Sequence, residues 1–382
     1  MEGTADLVIL PAVRTTSTPV RRGEARAALA RAERLAAESR WQETVDVLAR
    51  VKVPASSAPD LALRVLHTEA WARMYLGELD AATGLCERAR ALAEGDVFDD
   101  TDRAEALFRL GACRLKSAKV GNAVSLFSEA LRLTKPGGAR RDRVRAQAFE
   151  WRARCYAVQR DWDAAQTDAE NAVEIAESLK DVRLQMLATM QCSVIAERRG
   201  NAQLALFFAE HARALAVECA DRQTEARLLN NLGGLSFLLG RPEQAVAQVK
   251  ASFALFLELG ADADAAQAVS TLAQIHLRAG APRLAEEQAR HALSILAGRD
   301  DFLDERGNTH LVLGRALLAQ QSPKAALQEF ATAERLFRRL GSASHLAAAW
   351  TAEGDAYARL RDMDAAAALY RRAAEALQDF HF

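Results

Sequence analysis

Apolar residues recur along this chain at intervals of three and four, in blocks separated by short polar breaks. In one block Leu229, Leu232, Gly233 and Ser236 fall on a single stripe at about 100° per residue. After the break Ala245, Val249 and Ser252 continue at spacings of four and three. That period predicts helix, and the pairing of blocks predicts helical hairpins. β-branched runs are scarce, and Ala, Leu, Arg and Glu dominate, which favours helix nearly throughout.

The breaks themselves repeat. They read RWQETV (Arg40), GELDAA (Gly77), AKVGNA (Ala118), RDWDAA (Arg160), GNAQLA (Gly200), GRPEQA (Gly240), GAPRLA (Gly280), QSPKAA (Gln321) and RDMDAA (Arg361). Successive steps are 37, 41, 42, 40, 40, 40, 41 and 40 residues. Pro242, Pro282 and Pro323 each fall in the first turn of a second helix, where a missing N–H is harmless. One hairpin cannot bury its own apolar face, so the period predicts stacked neighbours rather than separate globules.

The third unit carries Leu110-Gly111, then Ala123, Phe127 and Ala130; the sixth carries Leu232-Gly233 and the eighth Leu313-Gly314. The ninth has Gly354, Tyr357, Ala366, Tyr370 and Ala373, and the fourth keeps Tyr156, Ala165 and Ala172. Eight units in register over residues 59–378 resemble the tetratricopeptide repeat (TPR) family. The period is near 40 rather than 34 residues. HEAT and armadillo arrays share that period, but they commonly kink the first helix with proline, and none of these first helices has one.

The resemblance implies an all-α fold: a right-handed α-α superhelix, a solenoid of about nine helical hairpins whose first helices line a concave groove. Residues 21–380 are expected to form one continuous array, with 21–57 as a degenerate first repeat or cap. Residues 1–20 are expected to be a flexible tail. Long-repeat arrays of this kind resemble the sensor modules of bacterial signal-transducing and peptide-responsive regulators.

On the groove stripe the resemblance places Trp71, Phe108 and Met190 as apolar anchors. Arg154, Arg227 and Arg315 are cations there, and Asn230, Asn231 and Gln274 are amides. Amides both donate and accept, which suits an extended peptide backbone, and guanidinium groups suit a carboxylate. Gly233 reads as a packing residue and Gly234 as bare backbone in the groove.

Composition narrows the function classes. The chain has 382 residues, 50% of them hydrophobic, and a net charge of −1, which suits neither a disordered tail nor a bulk polyanion binder. No apolar run spans a bilayer, and the N-terminus lacks the basic region of a secretion signal, so a cytoplasmic location and no membrane partner are expected. The five cysteines, Cys86, Cys113, Cys155, Cys192 and Cys219, show no CxxC pair and read as small buried hydrophobes. The seven histidines form no ligand-spaced pair, and no phosphate loop or nucleophile elbow is present. No catalytic residue, metal or cofactor is assigned, and an enzyme is not expected. Asp99-Asp100, Asp161/Asp163 and Asp300-Asp301 sit at turns, where capping explains them.

Arg140, Arg141, Arg143 and Arg145 form one basic cluster, a candidate contact for anions or nucleic acid. Asp142 interrupts it and no aromatics interleave, so direct nucleic-acid binding is not expected. The chain ends LQDFHF, and Phe380 and Phe382 suggest self-association through the terminal repeats. The function read from the sequence is a non-enzymatic scaffold that holds a protein or peptide segment in its concave groove. The alternative is the sensor or regulatory component of a bacterial transcription or signalling system, acting through an associated DNA-binding or effector protein.

Overall fold

A computed structural model describes residues 22–51, 53–298 and 302–378. The expected tail (1–20), Asp300-Asp301, Phe380 and Phe382 lie outside the described residues. Among the described residues there are eighteen helices and no strand. They are α1 (Arg22–Ala37), α2 (Trp41–Leu48), α3 (Pro59–Tyr75), α4 (Leu79–Ala93), α5 (Asp100–Lys116) and α6 (Val120–Leu133). Then come α7 (Ala139–Val158), α8 (Trp162–Ser178), α9 (Val182–Arg198), α10 (Ala202–Glu218), α11 (Arg222–Leu238) and α12 (Pro242–Glu258). The last six are α13 (Asp262–Arg278), α14 (Pro282–Ile295), α15 (Leu303–Ala319), α16 (Pro323–Leu340), α17 (Ala343–Arg359) and α18 (Met363–Gln378). The all-α hairpin array expected from the repeat is the fold observed. The chain groups into two compact units that divide at Val144/Arg145, inside α7.

The repeated breaks are repeated geometry. Gly77, Ala118, Arg160, Gly200, Gly240, Gly280, Gln321 and Arg361 all have a left-handed backbone, with φ between 58° and 81°. Gly240 N–H donates to Phe237 O, and Arg241 N–H donates to Ser236 O at 2.9 Å. This Schellman pair satisfies the last carbonyls of α11 and turns the chain into α12. A side chain disfavours this conformation, yet Ala118 adopts it with φ 58°. Ala118→Gly is expected to raise stability by about 0.5–1 kcal/mol in urea titration, after the extra entropy of unfolded glycine is subtracted. At the other end of the helices, aspartates and an asparagine cap. Asp99 accepts from Thr101 N and Asp102 N and forms a capping box with Asp102, while Asp161 and Asn201 cap α8 and α10.

Within each hairpin the small residues admit a bulky partner. A methyl group on Gly233 would lie 2.3 Å from Val249 Cγ2 and 3.1 Å from Ala245 O, so α11 and α12 meet there. Gly111 faces Phe127, Gly314 faces Phe330 and Gly354 faces Tyr370 in the same way. Phe127 and Phe330 are fully buried. Ala, Leu and Phe fill the rest of the core, joined by four buried cysteines and the half-buried Cys219. Burial pushes the thiols of Cys155 and Cys192 up to about 12, so neither ionises near neutrality. No described helix is long and apolar enough to cross a membrane.

Candidate functional site

Beyond sequential neighbours, the helix pairs that touch are α1 with α3, α3 with α5, α11 with α13, α13 with α15 and α15 with α17. All are pairs of odd-numbered helices. In the first unit α1, α3 and α5, and in the second α11, α13, α15 and α17, therefore crowd together and line one side of the stack.

Two rows of residues face that side, ten and six positions before each left-handed turn residue. In the second unit the first row is Glu150, Met190, Asn230, Ser270, Leu311 and Thr351. The second row is Arg154, Val194, Gly234, Gln274, Arg315 and Asp355. Asn230 Oδ1 and Ser270 Oγ occupy the same register on the touching helices α11 and α13. Both atoms are buried without a hydrogen-bond partner among the described residues. Thr189 Oγ1, one position off the row on α9, is likewise unpartnered. A buried polar atom left this way costs about 1–3 kcal/mol, so such atoms mark places where something else binds or water is held. Beside Asn230, the Cβ direction of Gly234 meets nothing within 4 Å, leaving the backbone open to approach.

Arg315 completes this stretch on α15. It is exposed at its surface and makes no ion pair among the described residues. Surrounding protein strips water from its guanidinium and lowers its pKa; Asp355 opposes that and Arg278 adds to it. Gln274 lies exposed one hairpin earlier in the same row, and Asn231 is exposed beside Asn230. Met190 is half-buried against the Met186, Ala212 and Leu215 cluster.

Other expected groove residues are committed elsewhere. Phe108 is core: it is 2% exposed and packs at 6.0 Å from the Phe127 ring. It is therefore corrected from an anchor to a packing residue. Trp71 is half-buried, 5.8 Å from Phe108, with the Arg109 guanidinium 5.2 Å above its ring. Arg154 binds Glu150 at 2.5 Å and stacks 4.8 Å over Trp151, so it is not available as a carboxylate clamp. Arg227 is half-satisfied by Asp264 at 3.3 Å.

The members of the basic cluster have partners within the chain, although Arg140 and Arg143 keep exposed surface. Arg140 pairs with Asp102, lies 3.5 Å from Glu105 and 4.0 Å from Asp99. Arg141 reaches Thr101 Oγ1 at 3.5 Å, and Arg145 lies 6.0 Å over Phe149. Arg143 also has a partner. The carboxylates that hold Arg140 lie some 40 residues earlier in the chain, where sequence spacing does not reveal them.

Glu150 is nearly inaccessible, and its burial raises its pKa, with Arg154 offsetting part of the shift. A carboxyl whose folded pKa is raised adds stability that is full below its unfolded value and is lost as pH rises through its folded value. Glu150→Gln removes that loss. Its stability relative to wild type should therefore rise as pH climbs above the ordinary carboxylate range, as read by denaturant titrations.

Residues 224–297 match the tetratricopeptide repeat family model. The matched stretch contains Asn230, Gly234, Ser270 and Gln274. Among curated sequences nothing matches the chain. The fold is similar to a STAND (signal transduction ATPase with numerous domains) protein with a tetratricopeptide repeat sensor from Pyrococcus horikoshii. That match has 12% identity and a TM-score of 0.64, covering 95% of this chain and 54% of that one. The chain thus spans about half the length of that protein. It is also similar to a Rap protein complexed with competence and sporulation factor, at 17% identity and TM-score 0.57, covering 94% and 98% of the two chains. The apo quorum sensor NprR from B. thuringiensis matches at 12% identity and TM-score 0.65, covering 93% and 98%. At these identities the likeness is one of fold.

Proposed function

We propose that this chain is a non-enzymatic scaffold that holds an extended peptide segment of a partner along the inner face of α11, α13 and α15. The observation that carries the reading is the unpartnered pair Asn230 Oδ1 and Ser270 Oγ, one hairpin apart in the same register, followed by the unpaired Arg315. Backbone N–H groups of a peptide satisfy the two acceptors, and a carboxylate satisfies the guanidinium. Adjacent odd helices lie on the order of 10 Å apart, so Asn230 to Arg315 spans roughly 20 Å. That length corresponds to about six residues of extended chain.

The same fold hosts unrelated activities, so the reading rests on these residues and not on the likeness alone. Its regulatory form, a cytoplasmic sensor acting through an associated DNA-binding or effector protein, draws support from two similar structures being described as sensors. The reading treats residues 21–380 as one repeat array. A fluorescence-labelled library of random hexapeptides, with free or amidated C-termini, tests it by polarisation. Selective capture of free-carboxylate members is expected. Equal capture of both forms, or none, overturns the reading.

A further inference from the structure

The first unit holds a separate cavity of about 430 Å³ on its own inner side, between α1, α3 and α5. Its buried lining includes Leu63, Phe98 and His67, each no more than 6% exposed. The rim is charged, and its cations are already spent. Arg64 makes a bidentate pair with Glu33 at 2.7 and 2.8 Å, and Arg109 binds Glu105 at 2.8 Å. Arg140 is held by Asp102. Four carboxylates line the cavity against three guanidinium groups. The carboxylate left over is Asp60, which is exposed in the first turn of α3 and pairs with no cation among the described residues.

His67 is the second open group. Its Nδ1 lies 3.6 Å from Glu105 Oε1, while Nε2 is buried without a partner among the described residues. Burial lowers the His67 pKa against the pull of Glu105, so the ring is neutral near pH 7. With Nδ1–H directed at the carboxylate, Nε2 is left as an acceptor. Asp60 and His67 are seven residues apart on one helix, hence on one face and about 10 Å apart along its axis. Between them Leu63 and Phe98 supply an apolar floor.

We propose that this cavity binds a small organic cation: a primary ammonium at Asp60, an aliphatic stem over Leu63 and Phe98, and a neutral hydrogen-bond donor at His67 Nε2. An anion fits poorly, because every lining guanidinium already holds a carboxylate. The site uses none of the residues of the peptide groove and stands independently of that reading.

The test is calorimetric titration of the full chain with 5-aminopentan-1-ol, n-pentylamine and valerate. The amino alcohol should bind most tightly, pentylamine about tenfold more weakly, and valerate not at all. Asp60→Asn should weaken both amines at least tenfold. His67→Leu should bring the amino alcohol down to the level of pentylamine while leaving pentylamine itself unchanged. A purely structural role for His67 would weaken both ligands alike. Circular dichroism and melting temperature confirm that each variant is folded, and Asp60→Asn, at an exposed position, keeps the test valid if His67→Leu does not fold. A flat isotherm with both amines at millimolar concentration overturns the proposal. So does binding of valerate in their place, or amine binding unchanged in Asp60→Asn.

Discussion

Replacing Phe330 by alanine will destabilise the chain by about 3–5 kcal/mol, among the largest single-residue losses expected in the array. The ring is fully buried among Leu313, Phe337 and Ala356, and its edge occupies the space that a side chain on Gly314 would fill. Deleting it opens a cavity against a backbone that cannot collapse, since helix α15 is held by its own hydrogen bonds. Gly314→Ala should be costly for the opposite reason: its methyl would lie 2.4 Å from Phe330 Cε1. Overpacking of that kind costs about 1–3 kcal/mol. The double variant should be less damaged than the two losses added together, because the new methyl enters the space the ring vacates. Urea unfolding measures the cycle. Because hairpins contact mainly their neighbours, hydrogen exchange should show lost protection concentrated in α15 and α16. Strict additivity, or a uniform loss of protection, would contradict the packing described.

Arg315→Ala will weaken binding of a captured free-carboxylate hexapeptide by about 10- to 100-fold, the range for a lost charge-assisted hydrogen-bonded pair. Arg315→Glu should abolish it, by placing like charge against the carboxylate. Asn230→Ala should cost about 3- to 10-fold, the range for a neutral hydrogen bond. Arg227→Ala is the matched control: it removes an equal charge from the same groove stripe, but one already shared with Asp264, and the change should stay under about twofold. If all three cations and amides respond equally, general electrostatics explains the binding and the specific pattern fails. Added salt should weaken the wild type more than Arg315→Ala.

The hairpins were legible in the sequence because their cause is local. A turn that needs a left-handed residue about every 40 positions, followed by Ala five places on and a small or aromatic residue nine places on, writes itself into the sequence. Gly233 could be read as a close-packing point for the same reason, since its neighbour Val249 is one hairpin strand of helix away. The fate of charged groups was only partly local. Arg154 and Arg315 share one register, on α7 and α15, and the stripe alone treats them alike. What separates them is that Glu150 sits one turn before Arg154, whereas Leu311 sits there before Arg315. That comparison was available in the sequence through the i, i+4 rule. The capture of Arg140 by Asp102 was not, because it depends on the first turns of α5 and α7 meeting. Ser270 lay on the stripe in the sequence, but only its burial without a partner made it informative.

The left-handed turn residues have a consequence for what the inner face can measure. Gly200, Gly240 and Gly280 carry nearly the same φ at a constant interval of 40 residues. Each hairpin between them therefore advances the two inner rows by the same increment. A ligand lying along those rows meets binding groups at regular ticks, as on a ruler. Length is then sensed in whole hairpins, while chemical identity is set by which residue each tick happens to carry.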